Sequence, residues 1–191
     1  MGQELRPYQQ QARDRIHAEW DAGHTRTLLV LPTGTGKTIL FASVAADQVR
    51  AGDRVLILAH RGELLEQAAD KLQRSTGLVS AVEKAESTCL DSWYRVVVGS
   101  VQTLQRPARL ERFPRDYFGT IIIDEAHHAI TDGYRRILDY FSGAKVLGVT
   151  ATAADLKSAV EKAYERVESV QFENAFYRRD IGRRALEALK Q

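Results

Sequence analysis

The sequence has few or none of the features that define several classes of protein: paired cysteines, long apolar runs and a large net charge. Its 191 residues include a single cysteine, Cys89, which leaves no disulfide framework and no cysteine-rich metal site. No apolar run is long enough to cross a bilayer, and the first residues lead into polar sequence rather than a signal peptide. The formal net charge is only +2, which argues against a strongly basic protein that coats nucleic acid. We therefore expect a cytoplasmic globular domain with no membrane partner.

Short apolar runs alternate with segments of helical periodicity along most of the chain. Such alternation is typical of parallel strands joined by right-handed crossover helices. No internal repeat or low-complexity tract interrupts it, and the length suits a single domain. The fold class expected is therefore α/β, with one mostly parallel sheet flanked by helices. Strands are predicted at 27–31, 54–59, 79–82, 95–99, 119–124 and 145–149, and helices at 7–22, 37–51, 62–75, 101–105 and 132–141.

A glycine-bearing loop follows the first predicted strand, where Leu31 to Thr38 reads Leu-Pro-Thr-Gly-Thr-Gly-Lys-Thr. Backbone N–H groups of such a loop close around phosphate oxygens, and the helix that follows adds the positive end of its dipole. Lys37 would reach the β and γ phosphates, and the Thr38 hydroxyl would ligate Mg²⁺. Leu31 stands where the strict pattern has a glycine, so an ordinary strand-to-helix turn remains the alternative. The loop residues predicted to bind the nucleotide are Thr33, Gly34, Thr35, Gly36, Lys37 and Thr38.

Two adjacent carboxylates, Asp124 and Glu125, follow a continuous apolar run at 119–123. That run is typical of a strand covered on both faces, and open α/β sheets bind ligands at the carboxyl ends of their strands. Asp124 can hold the metal, and Glu125 can orient and deprotonate the water that attacks the γ-phosphate. The alternative is that the two acids cap the next helix. Together with Lys37, they predict a catalytic nucleoside triphosphate site.

With these motifs the chain resembles the first RecA-like lobe of superfamily-two helicases and translocases, the DEAD/DEAH-box group of P-loop NTPases. It is most similar to the branch that includes type III restriction motor subunits. The likeness covers about residues 3 to 152, so residues 1–152 are predicted to form one helicase ATP-binding lobe. The stretches that carry it, in order, begin at Leu5 (Leu-Arg-Pro-Tyr-Gln), Leu31 (the phosphate loop), Ala59 (Ala-His-Arg-Gly-Glu-Leu), Gly99 (Gly-Ser-Val-Gln-Thr-Leu), Asp124 (Asp-Glu-Ala-His) and Thr150 (Thr-Ala-Thr).

The resemblance implies further roles for side chains. Gln9, with Arg6 beside it, would read the edge of adenine, which favours ATP; the alternative is an exposed helix start. The groups implied in contacts with a nucleic-acid strand are Arg61, Ser100, Gln102 and Thr103. Those implied in coupling the strand to the nucleotide are His127, Thr150 and Thr152. A zinc site from His60, His127 and His128 is a weaker alternative, because no paired ligand spacing supports it.

Several other arginines are open to two interpretations. Each could contact a phosphate backbone, but scattered arginines are more often solvated surface. This group consists of Arg74, Arg95, Arg106 and Arg109.

No second RecA-like lobe is present in the sequence. Motors of this family hold ATP between two lobes, and the second lobe donates an arginine. Here only 39 residues follow Thr152, and they depart from the family by reading Ala153-Ala154-Asp155. Apolar residues from Leu156 to Val170 fall at helical spacing, and a second helix is predicted from Arg178 to Lys190. We expect residues 153–191 to form a helical extension packed on the same domain, although an engineered tail is also compatible.

These observations predict an ATP-binding and Mg²⁺-dependent hydrolysing lobe of a helicase or translocase, weak or inactive alone. Its expected partners are nucleic acid, with DNA favoured over RNA, and a second RecA-like lobe or partner subunit. One alternative is a non-catalytic module that binds nucleotide or nucleic acid. Another is a small-molecule kinase or GTPase, which is disfavoured because the Asp-Glu-Ala-His and Thr-Ala-Thr stretches have no role there.

Overall fold

A computed structural model of the chain describes residues 4–32, 34–60, 62–85, 87–90, 92–126 and 131–152. The described chain forms a single six-stranded sheet in which every pairing is parallel. The strands are β1 (Arg26–Pro32), β2 (Val55–Ala59), β3 (Ser80–Glu83), β4 (Val96–Ser100), β5 (Thr120–Asp124) and β6 (Lys145–Thr152). The helices are α1 (Pro7–Asp21), α2 (Lys37–Arg50), α3 (Gly62–Thr76), α4 (Val101–Leu104), α5 (Pro107–Leu110) and α6 (Asp132–Tyr140).

The α/β class with a parallel sheet is confirmed, and the predicted strands all lie where apolar runs placed them. One helix was missed: α5, whose Pro107 occupies the first helical turn after Arg106. Proline is favoured at that position, so the sequence did carry a signal for it. The predicted helices within 153–191 lie outside the described residues. None of the described helices is long and apolar enough to cross a membrane.

Alternation along the strands divides the core between the two faces of the sheet. On β2, Ile57 packs with α1, α2 and α3, whereas Leu56 and Leu58 pack with α4, α6 and a group of phenylalanines. Neighbouring strands follow the same alternation, so Ile122 of β5 faces the first layer and Ile121 the second. Because both faces are covered, the strands can be apolar throughout.

The strand order is β1-β6-β5-β2-β4-β3, and the parallel register brings all carboxyl ends to one edge, called here the carboxyl edge. Pro32 of β1 is in register with Thr152 of β6, and Asp124 of β5 with Val149. Ala59 of β2 is likewise in register with Ser100 of β4. The loops that follow these strands therefore share one side of the molecule, as the ligand-binding loops of α/β proteins do.

Candidate nucleotide site

The phosphate loop leaves β1 and turns into α2 through two glycines in the left-handed region. Gly34 has φ +81° and Gly36 has φ +74°, conformations that side chains with a Cβ rarely adopt. Gly36 is also crowded, because a Cβ there would lie 2.7 Å from Nε2 of Gln9. The loop therefore depends on glycine at position 36 for both backbone angle and space. Thr35 and Thr38 are half-buried beside it, whereas Thr33 lies outside the described residues.

Lys37 is the first residue of α2, and its ammonium group reaches both acids at the end of β5. Its Nζ lies 3.2 Å from Oδ1 of Asp124 and forms an ion pair with Oε1 of Glu125. The three side chains are between 15% and 28% exposed. The structure thus brings together the three residues predicted to be catalytic. Two carboxylates face one ammonium, so the group can accept a further cation.

The backbone bends sharply between the two acids. Glu125 has φ +54°, which is unusual for a residue with a long side chain, and its N–H donates to Oδ1 of Asp124 at 3.0 Å. The bend ends the strand and turns the Glu125 carboxylate towards Lys37 instead of leaving it on the opposite face, as strand alternation would. Strained backbone of this kind often occurs where a side chain must be aimed.

The start of α1 is fastened to the phosphate loop by Gln9. Its Nε2 donates to the carbonyl oxygens of Thr35 and Gly36 at 3.1 and 3.3 Å, and its Oε1 accepts from the Arg6 N–H at 2.9 Å. The Tyr8 hydroxyl also donates to the Thr35 carbonyl, at 2.5 Å. Gln9 is 3% exposed, and its amide is fully engaged with backbone. Adenine recognition by Gln9 would therefore exchange one of these bonds, and it stays a prediction.

The groups predicted to contact a strand lie around the end of β4. Ser100 and Thr103 are buried, at 4% and 7% exposed, while Gln102 between them is exposed. The Thr103 hydroxyl accepts a hydrogen bond from the Ala85 N–H at 3.1 Å. Of these residues, Gln102 is therefore the side chain that an external strand could reach without rearrangement. Arg61 lies outside the described residues.

Arg109 has an internal role that the sequence did not predict. Its guanidinium, 14% exposed, forms an ion pair with Glu83, which is fully buried at the end of β3. The Glu83 carboxylate also accepts from the Cys89 N–H at 2.7 Å. Arg109 is thus neither a free strand contact nor ordinary surface. Strand periodicity alone gives no sign of a buried acid at position 83.

The residues predicted to couple nucleotide and strand are only partly described. Thr150 is buried on β6, in register with Val30 of β1, and so lies between the strands that carry the phosphate loop and the acids. His127 and the side chain of Thr152 lie outside the described part. Within that part no group of three potential ligands could hold a metal, and His128 of the zinc alternative also falls outside it.

Tyr134 on α6 is a site neighbour that sequence reasoning missed. Its ring is fully buried, and its hydroxyl has no hydrogen-bond partner among the described residues. Burial raises the pKa of Tyr134 above its ordinary value, and the charge of nearby Asp124 raises it further. The phenol therefore stays protonated. Its helical spacing with Ile137 and Leu138 predicts a buried face but not this neighbour.

Comparisons with known proteins agree with the arrangement. The family described as "Type III restriction enzyme, res subunit" matches residues 2–155. The chain is 35% identical over 191 aligned residues to "Putative ATP-dependent helicase IRC3" of Saccharomyces cerevisiae, covering 93% of this chain and 26% of that protein. It thus spans about a quarter of the length of such curated relatives.

Among solved structures, the helicase domain of Hef from Pyrococcus furiosus superposes with a TM-score of 0.69 at 27% identity. That match covers 91% of this chain and 38% of the Hef chain. A shorter segment of the chain resembles a different protein. Over 47 residues, a quarter of its length, the chain is 51% identical to phosphoribosylamine–glycine ligase of Leptospira interrogans, and this segment covers 11% of that enzyme.

The family match includes the phosphate loop, the two acids and all six strands. The structural match, at an identity above one quarter, is to a helicase domain. The chain therefore belongs to the type III restriction enzyme res-subunit family, and it forms a RecA-like lobe of the helicase type.

Proposed function

We propose that this lobe binds and hydrolyses ATP in a motor that acts on nucleic acid. The observation that carries the proposal is the contact of Lys37 with Asp124 and Glu125. This contact lies beside a loop whose turn depends on the positive φ angles of Gly34 and Gly36. A cation and two acids at a helix N-terminus fit a metal-bound triphosphate better than any uncharged ligand. The names of the relatives, which include ATP-dependent helicases, support the same chemistry.

The donor set also fits Mg²⁺. A hydroxyl from Thr38 and a carboxylate from Asp124 are hard oxygen ligands, which this ion prefers along with water and phosphate oxygens. When bound, the ion would neutralise charge on the phosphates and align them. Lys37, which contacts Asp124 in the structure, could then turn to the β and γ phosphates.

Glu125 is proposed as the general base. Once Lys37 turns to the phosphates, the Glu125 carboxylate can accept a hydrogen bond from a water and take its proton as the water attacks phosphorus. The backbone bend at Glu125 fixes the carboxylate on the Lys37 side of the strand end.

Recognition of the base and of the strand forms the finer part of the proposal. Gln9 and Arg6 would read adenine, with Gln9 also holding the loop. The strand would lie along the carboxyl edge against Arg61 and Gln102, and it would reach buried Ser100 and Thr103 only after a local rearrangement. DNA is favoured over RNA. His127, Thr150 and Thr152 would transmit the nucleotide state to that strand.

Turnover by this lobe alone is expected to be very slow. In motors of this family an arginine from a second lobe stabilises the transition state, and such an arginine is worth about 10³ to 10⁵ in rate in well-studied phosphoryl-transfer enzymes. The isolated lobe should also bind ATP weakly, because it would supply only one face of the cleft. We therefore expect no unwinding by this chain unless a second lobe or a partner subunit completes the site.

The test is a titration with a fluorescent ATP analogue, with and without Mg²⁺. Lys37→Ala should abolish binding, whereas Lys71→Ala, which removes an exposed lysine of α3, should not change it. Equal affinity in both variants would contradict the proposed site.

Glu125→Gln separates an enzyme from a non-catalytic module. In an enzyme the substitution should keep nucleotide binding and eliminate phosphate release. If the unaltered chain and Glu125→Gln release phosphate at the same rate, the lobe binds nucleotide without catalysis. Strong ATPase activity stimulated by polynucleotide in the isolated monomer would contradict the expected need for a second lobe.

A further inference from the structure

An aromatic pair, exposed Trp93 and half-buried Tyr94, lies at the amino ends of the strands, on the opposite side of the sheet from the nucleotide site. Trp93 is 80% exposed, which is the largest value among the exposed large hydrophobic side chains of the described residues. Its ring stacks on that of Tyr94, with centroids 4.6 Å apart and an interplanar angle of 23°. One face of the indole is therefore supported, and its high exposure leaves the rest of the ring open to solvent.

Two arginines lie next to this pair. Val55 of β2 is in register with Val96 of β4, so Arg54 and Arg95, which precede them, sit at the starts of neighbouring strands, about 5 Å apart. The Arg95 guanidinium donates to the Gly52 carbonyl at 3.4 Å. That of Arg54 lies 4.6 Å from the centre of the Tyr117 ring.

Neither guanidinium is neutralised within the described part of the chain. No carboxylate there forms an ion pair with Arg54 or Arg95, and the adjacent acid, Asp53, is instead 3.7 Å from Lys145. Asp53 also accepts a hydrogen bond from the Thr120 hydroxyl at 3.0 Å. The edge therefore presents positive charge beside a stacked aromatic pair.

We propose that these four residues, Arg54, Trp93, Tyr94 and Arg95, form an amino-edge platform that binds single-stranded nucleic acid. A base would stack on the open face of Trp93, and exposed Arg95 would contact a flanking phosphate. Half-buried Arg54 would add positive charge behind it. Aromatic stacking beside a cationic track is how proteins hold single strands without reading their sequence. The support of Trp93 by Tyr94 lowers the entropy lost when a base stacks.

The platform is distinct from the nucleotide site and from the strand contacts proposed above. Those groups lie at the carboxyl edge, and the length of β4 separates the two edges by roughly 17 Å. The platform goes beyond the proposed function, because nothing in ATP binding or hydrolysis requires it. It offers a nucleic acid a second contact on the same lobe.

The two tryptophans allow a direct test. Trp20 is buried, at 8% exposed, and Trp93 is the other of the two tryptophans in the sequence. In the Trp20→Phe variant, tryptophan fluorescence therefore comes from Trp93 alone. Titration of that variant with single-stranded oligothymidylate, without nucleotide, should quench its fluorescence. In the otherwise unaltered chain, Trp93→Ala should weaken oligonucleotide binding, measured by anisotropy of a labelled strand, roughly ten-fold, and Trp93→Phe should recover part of the loss.

Arg95→Ala should reduce the slope of log affinity against log salt concentration by about one phosphate contact. Its matched control is Arg135→Ala, an exposed arginine of α6, which should leave the slope unchanged. Lys37→Ala should lose nucleotide but keep the quench, so failure of the platform and failure of the nucleotide site can be told apart.

Two results would overturn the platform. One is that the unaltered chain and Trp93→Ala bind the oligonucleotide with equal affinity, or that neither of them binds it. The other is a concentration-dependent dimer, seen by sedimentation, that Trp93→Ala abolishes while no oligonucleotide binds. That second result would mean that Trp93 contacts another protein chain.

Discussion

At the scale of single residues, the two acids of the nucleotide site depend on one ammonium group. Lys37 compensates Asp124 and Glu125, which are adjacent in sequence and at most 28% exposed. Removing Lys37 leaves two like charges close together in a partly desolvated place, which is costly. The same side chain that would bind phosphate therefore also stabilises the two acids.

Lys37→Met should lower the free energy of unfolding by about 1–3 kcal/mol in the absence of nucleotide. Adding Glu125→Gln should recover part of that loss, because one of the two repelling charges is gone. Urea unfolding of both variants measures this, with Lys71→Met as the control for loss of a lysine. A double variant that is less stable than Lys37→Met would contradict the repulsion argument.

Gln9 allows two roles to be distinguished by one substitution. In the structure its amide fastens Thr35 and Gly36 of the phosphate loop. If Gln9 chiefly organises the loop, Gln9→Ala should weaken ATP and GTP binding by a similar factor, of about ten for one or two lost hydrogen bonds.

Fluorescent ATP and GTP analogues titrated in parallel provide the measurement, and Gln10→Ala, an exposed neighbour, is the control. Selective loss of ATP affinity would instead identify Gln9 as the reader of adenine. Equal loss for both nucleotides would mean that specificity for the base comes from elsewhere.

At the scale of elements, sequence patterns were sufficient to predict the strands of the sheet that are buried on both faces, because such burial requires apolar residues. The apolar runs that became β2, β4 and β5 have every or nearly every residue buried, and their carboxyl ends placed the acids correctly. Lys37, Asp124 and Glu125 could be predicted to meet because parallel strands present their ends at one edge.

The remainder depends on contacts between residues distant in sequence, which periodicity does not encode. The amide of Gln9 meets a loop that follows β1, and Glu83 at the end of β3 meets Arg109 of α5. Thr103 is buried and accepts a hydrogen bond from Ala85, 18 residues earlier, so the accessibility of its hydroxyl could not be judged beforehand. Helix α5 was missed although Pro107 occupies its first turn, because that proline was not interpreted as a helix start.

Cys89, in the connection after β3, makes the free energy of unfolding depend on pH in the alkaline range. Burial raises the pKa of the Cys89 thiol from its ordinary 9.0 to about 12, and the nearby Glu83 carboxylate adds to the shift. The unfolded chain releases this proton from about pH 9, whereas the folded chain keeps it until about pH 12. The contribution is therefore complete below pH 9 and is lost as the pH rises towards 12.

The free energy of unfolding should accordingly fall by up to about 1.4 kcal/mol per pH unit above pH 9 from this group. Cys89→Ala should remove the part of that slope that comes from the thiol proton. Urea unfolding at several pH values measures the slope. Tyr134 shifts in the same direction, so some slope should remain in the variant. An unchanged slope would contradict burial of the thiol.

At the scale of the whole molecule, the lobe and the segment after it can be separated. The family match ends at residue 155, and the described residues of the phosphate loop and the two acids all precede Asp132. We propose that residues 153–191 pack on the lobe through the apolar stripe that begins at Leu156. A chain ending at Thr152 should then bind the ATP analogue unchanged but melt several degrees lower.

Thermal unfolding of the two chains, followed by circular dichroism, measures the difference. Equal melting temperatures would mean that the final segment does not pack on the lobe. Loss of nucleotide binding in the shorter chain would instead show that this segment contributes to the site.

The pairing of β1 with β6 has a consequence for the order of folding. β1 ends at Pro32, yet β6, its neighbour in the described sheet, begins only at Lys145. During synthesis on the ribosome, the segment that precedes the phosphate loop cannot pair until β6 has been translated. Contacts this distant close slowly, so in a nascent chain Leu28 and Leu29 stay unpaired with β6, and open to chaperones, until that point.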